Sequence, residues 1–120
     1  MEENYAFEQK DAQDNKVMGI LAYLGILVLV PIFAAKDSPF ARFHTNQGLV
    51  LLITSIALSF GVGILTVIVA MISTSLAALM SILSLVVSLG VLVLVILGII
   101  NAAKGEMKEL PVIGKYRILK

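Results

Sequence analysis

The sequence predicts an all-α membrane protein: three transmembrane helices, a short acidic N-terminal tail and a basic interfacial C-terminal segment. Three observations carry that reading. First, residues Thr45 through Ala103 form a run of 59 without Asp, Glu, Lys, Arg or His. As one helix it would be about 88 Å long, nearly three times a hydrocarbon core of about 30 Å, so it must fold back on itself. Second, Val17 to Ala35 is a further uncharged stretch of 19 residues, close to the length of one span. Third, 59% of residues are hydrophobic, only 14% are charged and the mean hydropathy is +1.01. A soluble domain carries roughly 25% charged residues. With 120 residues the chain builds one membrane domain, 17–120, behind a tail at 1–16, with spans at about 17–35, 45–71 and 78–103 and an interfacial tail at 105–120.

The first 16 residues hold Glu2, Glu3, Glu8, Asp11 and Asp14 against Lys10 and Lys16, a net charge of −3. They lack the basic leader of a secretory signal. Seven of the nine basic residues fall after the first span (Lys36, Arg42) or after Ala103 (Lys104, Lys108, Lys115, Arg117, Lys120). If the long block makes two spans, these segments share one side. The positive-inside rule then predicts an integral membrane protein with the N-terminus outside and the C-terminus cytoplasmic.

The first helix is expected from about Asn15 or Lys16 to Ala34, with Asn15 available as cap and Pro31 bending or ending its last turn. Ser38-Pro39 is the strongest start signal, because serine suits the cap and proline the first helical position. The return turn is assigned to MISTSLAA, and the third helix to about Ala78–Lys104, ending before Gly105. In lipid, helices pack through small residues and shared hydrogen bonds. Ser55, Ser59 and Gly63 make one stripe on the second helix, and Ser81, Ser84 and Ser88 one on the third; Ser55, Ser59, Gly63, Ser84 and Ser88 are the expected packing seam.

One polar constellation stands out: Arg42, His44, Asn46 and Gln47 at the second helix start, with Asn101 at the end of the third. Helix direction returns them to one face, where Asn101 could bond Asn46 or Gln47 and the group could form an interaction collar. The competing reading is that such residues cap helices and fix vertical position, with Phe40 and Phe43 as interface anchors. Catalytic chemistry is weakly represented. Asp37, Ser38 and His44 lie too close in sequence to converge as a triad, a lone His44 is no metal site, and no Gly-rich phosphate loop follows a strand. No cofactor and no nucleic-acid partner is predicted. The tail LPVIGKYRILK mixes apolar residues with Lys115, Arg117 and Lys120, which would contact lipid headgroups.

The segments KDSPFARFHTNQGLVL and INAAKGEMKELPVIGKYRIL resemble a family of small bacterial membrane proteins related to the chloroplast inner-envelope import component, the Tic twenty-kilodalton subunit. The resemblance runs from about Lys16 to Leu119 and rests on Ser38, Phe40, Arg42, Phe43, His44, Asn46 and Gln47, then Asn101, Ala102, Gly105, Pro111, Gly114 and Lys115. It implies an all-helical membrane protein without cofactor, and a link to protein transport by analogy alone. The chloroplast component is described with four spans, whereas charge here argues for three. Together these features predict a non-enzymatic membrane protein acting by helix association, as a homo-oligomer or a small subunit beside another membrane protein. A homo-oligomeric pore or protein-translocation channel component is the alternative, and an immunity protein against membrane-active peptides a further one.

Overall fold

A computed structural model describes residues 2–119, all of whose regular elements are helical. Helix α1 is Glu2–Asp14, α2 is Lys16–Leu21, a 3-10 turn covers Gly25–Val28, α3 is Leu29–Ala34, α4 is Pro39–Ile72 and α5 is Thr74–Ala103. The molecule is elongated, 63 × 22 × 21 Å, because α4 and α5 run as a long hairpin. Their 34 and 30 residues correspond to rods of about 51 and 45 Å. Both are long and apolar enough to cross a membrane.

Helix α4 begins as its start signal dictates. Pro39 occupies the first helical position, and the Ser38 hydroxyl accepts a hydrogen bond from the Ala41 amide at 3.0 Å. The return turn is shorter than expected. Ser73 alone separates the helices, its extended backbone reversing the chain while its hydroxyl caps α5 by accepting from the Leu76 amide. At the far end Gly105 takes φ +72° and closes α5 after Ala103.

The block 17–35, expected as one span, is instead three short helices. The chain enters along α4, breaks after Leu21, reverses at Ala22–Gly25 and returns through α3. Both ends of this excursion, Asn15 and Ala34–Ser38, line one depression, so it enters and leaves at the same end of the hairpin. Gly25 at φ +62° makes the reversal sterically cheap. The tip is buried against the long helices, with Ala22 and Tyr23 almost inaccessible. A Cβ on Gly48 would collide with the Ala22 carbonyl, so α4 accepts the tip only where it lacks a side chain. The acidic segment is likewise helical, and packs on α4 and α2 at this same end rather than standing clear of it. The core, including Ala22, Tyr23, Val28, Phe40, Leu51, Ala102 and Leu110, is therefore concentrated at the closed, polar end of the molecule.

Candidate functional site

The closed end of the hairpin is organised by α4's first three turns, where Phe40, Ala41, His44, Thr45, Asn46, Gln47 and Gly48 are all buried. Four polar side chains in that row need partners, because an unmet buried donor or acceptor costs about 1–3 kcal/mol. Thr45 donates to the Ala41 carbonyl one turn back, at 2.6 Å. The other three reach outward to different parts of the chain.

His44 is fully buried, with Nδ1 2.6 Å from the Tyr23 hydroxyl and Nε2 2.8 Å from the Glu106 carbonyl. A carbonyl only accepts, so Nε2 carries the hydrogen and Nδ1 accepts from Tyr23. One neutral imidazole thereby ties the tip of the re-entrant excursion to the chain leaving α5. Phe40 and Phe43 pack edge-on against the ring at centroid distances of 4.6 and 5.2 Å. Gln47 accepts from the Leu110 amide and donates to the Gly114 carbonyl, both at 2.8 Å. Asn46 accepts from the Ile118 amide at 3.0 Å and the Leu119 amide at 2.6 Å, and donates to the Leu119 carbonyl at 3.0 Å. Among the described residues, no buried side-chain nitrogen or oxygen is left without a partner.

The collar residues thus meet the C-terminal segment rather than one another. Asn101 does not reach Asn46 or Gln47; its amide lies 3.5 Å from the Lys108 carbonyl at an exposed position. Arg42 is half-buried, and its backbone carbonyl accepts from Asn46 at 3.3 Å. Arg117 is exposed and folded back along the chain: it donates to the Gly114 and Tyr116 carbonyls, pairs with Glu109 at 2.8 Å and lies 5.3 Å over the Phe43 ring. Lys115 is exposed, 5.4 Å over Tyr116. Lys120 lies outside the described residues.

Tyr23 and Asp11 are the members that the sequence reading passed over. Asp11 Oδ1 accepts from the Ser38 hydroxyl at 2.6 Å and Oδ2 from the Phe40 amide at 3.0 Å, so a carboxylate on α1 caps α4 from outside. A lone tyrosine in an apolar run is a visible signal for a buried polar partner. Asp11 carries no such signal, because its partner is 27 residues away.

Beyond the collar, Ser59, Gly63, Thr66, Ser84 and Ser88 line an open groove of about 260 Å³ between α4 and α5. Ser59, Gly63, Ser84 and Ser88 are exposed on its rim, while Ser55 is half-buried and donates to the Leu52 carbonyl. Nearer the collar the bulkier Leu52, Val91, Leu94 and Val95 are partly buried against the core. Among the described residues, no group of three or more His, Asp or Glu side chains is placed to share a metal ion.

An all-α chain with two candidate membrane helices in a hairpin, closed at one end by a polar collar that binds its own tail, is the class these features define. The family model of the magnetosome magnetite crystal formation proteins (MamF/MmsF) matches residues 14–118, and the chain belongs to that family. The magnetosome protein MamF of Paramagnetospirillum magneticum is 33% identical over 100 residues, covering 83% of this chain and 79% of that protein. MamF of Magnetospirillum gryphiswaldense is 33% identical over 116 residues, covering 94% of each. No solved structure matches. The family match overturns the resemblance to the chloroplast import component, because it covers the same two segments on which that resemblance rested. The link to protein transport falls with it.

Proposed function

We propose that this protein is a non-enzymatic structural component of the membrane in which magnetite crystals form, acting by helix association and by presenting a charged polar platform on one face. The observation that carries the reading is the family match across residues 14–118, which includes both long helices and the whole collar. In this reading α4 and α5 span the bilayer. The α2–α3 excursion dips in and returns, with exposed Ile26, Leu29 and Phe33 toward lipid. An irregular backbone at membrane depth is tolerated where protein covers it, which is what Gly48, Tyr23 and His44 do for the tip. Because α1 caps α4, the acidic N-terminus stands on the same side as the basic loop and tail, a two-span topology in place of three.

The chemistry at the collar supports a structural role. His44, Gln47 and Asn46 spend their hydrogen-bonding capacity on the chain itself, and a residue so committed is poorly placed to bind or transform a solute. The groove beside Ser59, Gly63, Ser84 and Ser88 supports association with a second copy or another membrane helix, since small residues let backbones approach. Neither the pore nor the immunity reading gains support from the family match.

The test uses a protein without native cysteine. Variants Ser59→Cys and Ser88→Cys would be expressed in Magnetospirillum gryphiswaldense and the magnetite-bearing vesicles isolated. The protein should co-purify with those vesicles and form disulfide-linked adducts on oxidation. Recovery in the plasma membrane fraction alone would overturn the assignment, and a monomer free of adducts in the vesicles would overturn the association.

A further inference from the structure

Val112 is the most exposed large apolar side chain among the described residues, at 89%, and it sits in a backbone conformation that valine rarely adopts. Its φ is +70°, and the Ile113 amide donates to the Pro111 carbonyl at 2.8 Å. The three residues therefore form a γ-turn of the rare, strained hand, with Val112 at its centre. A β-branched residue at positive φ is an outlier that persists only where the surroundings hold it. Here they do. Gln47, 1% exposed, grips both ends of the turn at Leu110 and Gly114, while the Gly114 amide donates to the Leu110 carbonyl at 3.0 Å and Leu110 is buried. The chain is thus fixed so that one apolar side chain projects outward from a rigid base.

The position of that projection is informative. Gln47 lies where α4's polar turns give way to its long apolar run, so the turn is level with the entry of α4 into the bilayer. The exposed residues that follow Val112 in the chain are basic, aromatic or apolar, namely Lys115, Tyr116, Arg117 and Ile118, while the acids before it are paired, Glu106 with Lys108 at 3.1 Å and Glu109 with Arg117 at 2.8 Å. Apolar and aromatic side chains beside an unpaired lysine suit the boundary between acyl chains and anionic headgroups.

We propose that the Pro111–Gly114 turn is a lipid-inserted anchor, with Val112 seated among acyl chains and Lys115 on anionic headgroups, fixing the depth of the collar. This rests on the reading that α4 and α5 span the bilayer, and the test separates the two. The chain has no tryptophan, so Val112→Trp and Phe60→Trp each create a single reporter, the second on the exposed face of α4 deep in the hairpin. Tyr116→Trp, a conservative change on the same surface, serves if the turn does not accept indole. The full-length variants would be reconstituted in phosphatidylcholine–phosphatidylglycerol vesicles containing lipids brominated near either end of the acyl chain.

Tryptophan at 112 should be quenched by the shallow bromine about threefold more than by the deep one, as for a side chain at the headgroup–acyl boundary. At 60 the order should reverse. If 60 is quenched but 112 is quenched by neither and responds freely to aqueous iodide, the anchor is refuted and the span stands. If 112 is shielded from both bromine and iodide, a protein surface covers it and the lipid assignment is wrong. If 60 escapes both bromines, the spanning reading itself fails.

Discussion

Gln47→Met removes the clamp on the C-terminal segment while keeping the volume of the side chain, which makes it the sharpest test of the collar. The Leu110 amide loses its partner and the Gly114 carbonyl one of its two, since Arg117 still donates to it; both bonds to Gln47 are 2.8 Å in a buried setting. Leaving a buried polar group unmet costs about 1–3 kcal/mol, so the orphaned amide sets a loss of about 1–3 kcal/mol if the segment stays in place. Detachment relieves the cost by giving both groups to water, and the loss is therefore local. The Leu110 amide should exchange with solvent about 5- to 150-fold faster, the factor that corresponds to about 1–3 kcal/mol. Hydrogen exchange of the peptide covering residues 107–119, measured in detergent by mass spectrometry, reads this directly. Peptides from α4 and α5 serve as internal controls and should keep their protection. Gln47→Glu should fall between, because a carboxylate still accepts from Leu110 but meets the Gly114 carbonyl with an acceptor. Exchange of the Leu110 peptide within about threefold of the parent would refute the reasoning, since it would leave under about 1 kcal/mol for the Leu110 bond.

Three further outcomes follow from the same geometry. Gly48→Ala puts a methyl group into the Ala22 carbonyl and should destabilise the closed end by about 1–3 kcal/mol, whereas Gly63→Ala, with open space around it, should be neutral or stabilising by up to about 1 kcal/mol; denaturant titration in detergent followed by circular dichroism compares them. Asp11→Ala removes the acceptor for the Ser38 hydroxyl and the Phe40 amide, and because that site is half-exposed the loss should be about 1.5 kcal/mol, seen as roughly tenfold faster tryptic cleavage after Lys10 and Lys16. Single cysteines at Asn4, Asp37 and Met107 should label with an impermeant maleimide from one side of the membrane and a cysteine at Ser75 from the other; labelling of position 4 opposite to position 37 would break the proposed topology.

What the sequence made legible were the features written in local chemistry. The charge-free run marked the hairpin, Ser38-Pro39 marked the start of α4, and Gly105 marked the end of α5, each through a rule that needs only neighbouring residues. Arg42, His44, Asn46 and Gln47 stood out because polar residues at the head of an apolar run must find partners. The tail partners of His44, Asn46 and Gln47 could not be read, because they lie 62 to 73 residues away. The suggested bond from Asn101 is absent for a related reason: Asn46 and Gln47 bond the tail backbone, and the Asn101 amide faces the Lys108 carbonyl.

The block 17–35 shows most clearly where length and hydropathy stop being sufficient. Nineteen uncharged residues satisfy the requirement for a span, yet Tyr23 and Gly25 stand near the middle of them. Tyr23 has a hydroxyl to satisfy, and His44 offers the acceptor at 2.6 Å only if the chain brings the ring to α4's second turn. Gly25 lets the backbone reverse there, and Gly48 gives the reversed tip a place to lie against α4. A straight helix would instead leave both the tyrosine hydroxyl and the imidazole nitrogen without each other, at about 1–3 kcal/mol per orphaned group. Two polar side chains 21 residues apart thus settle the path of an apolar segment whose composition alone fits a span equally well.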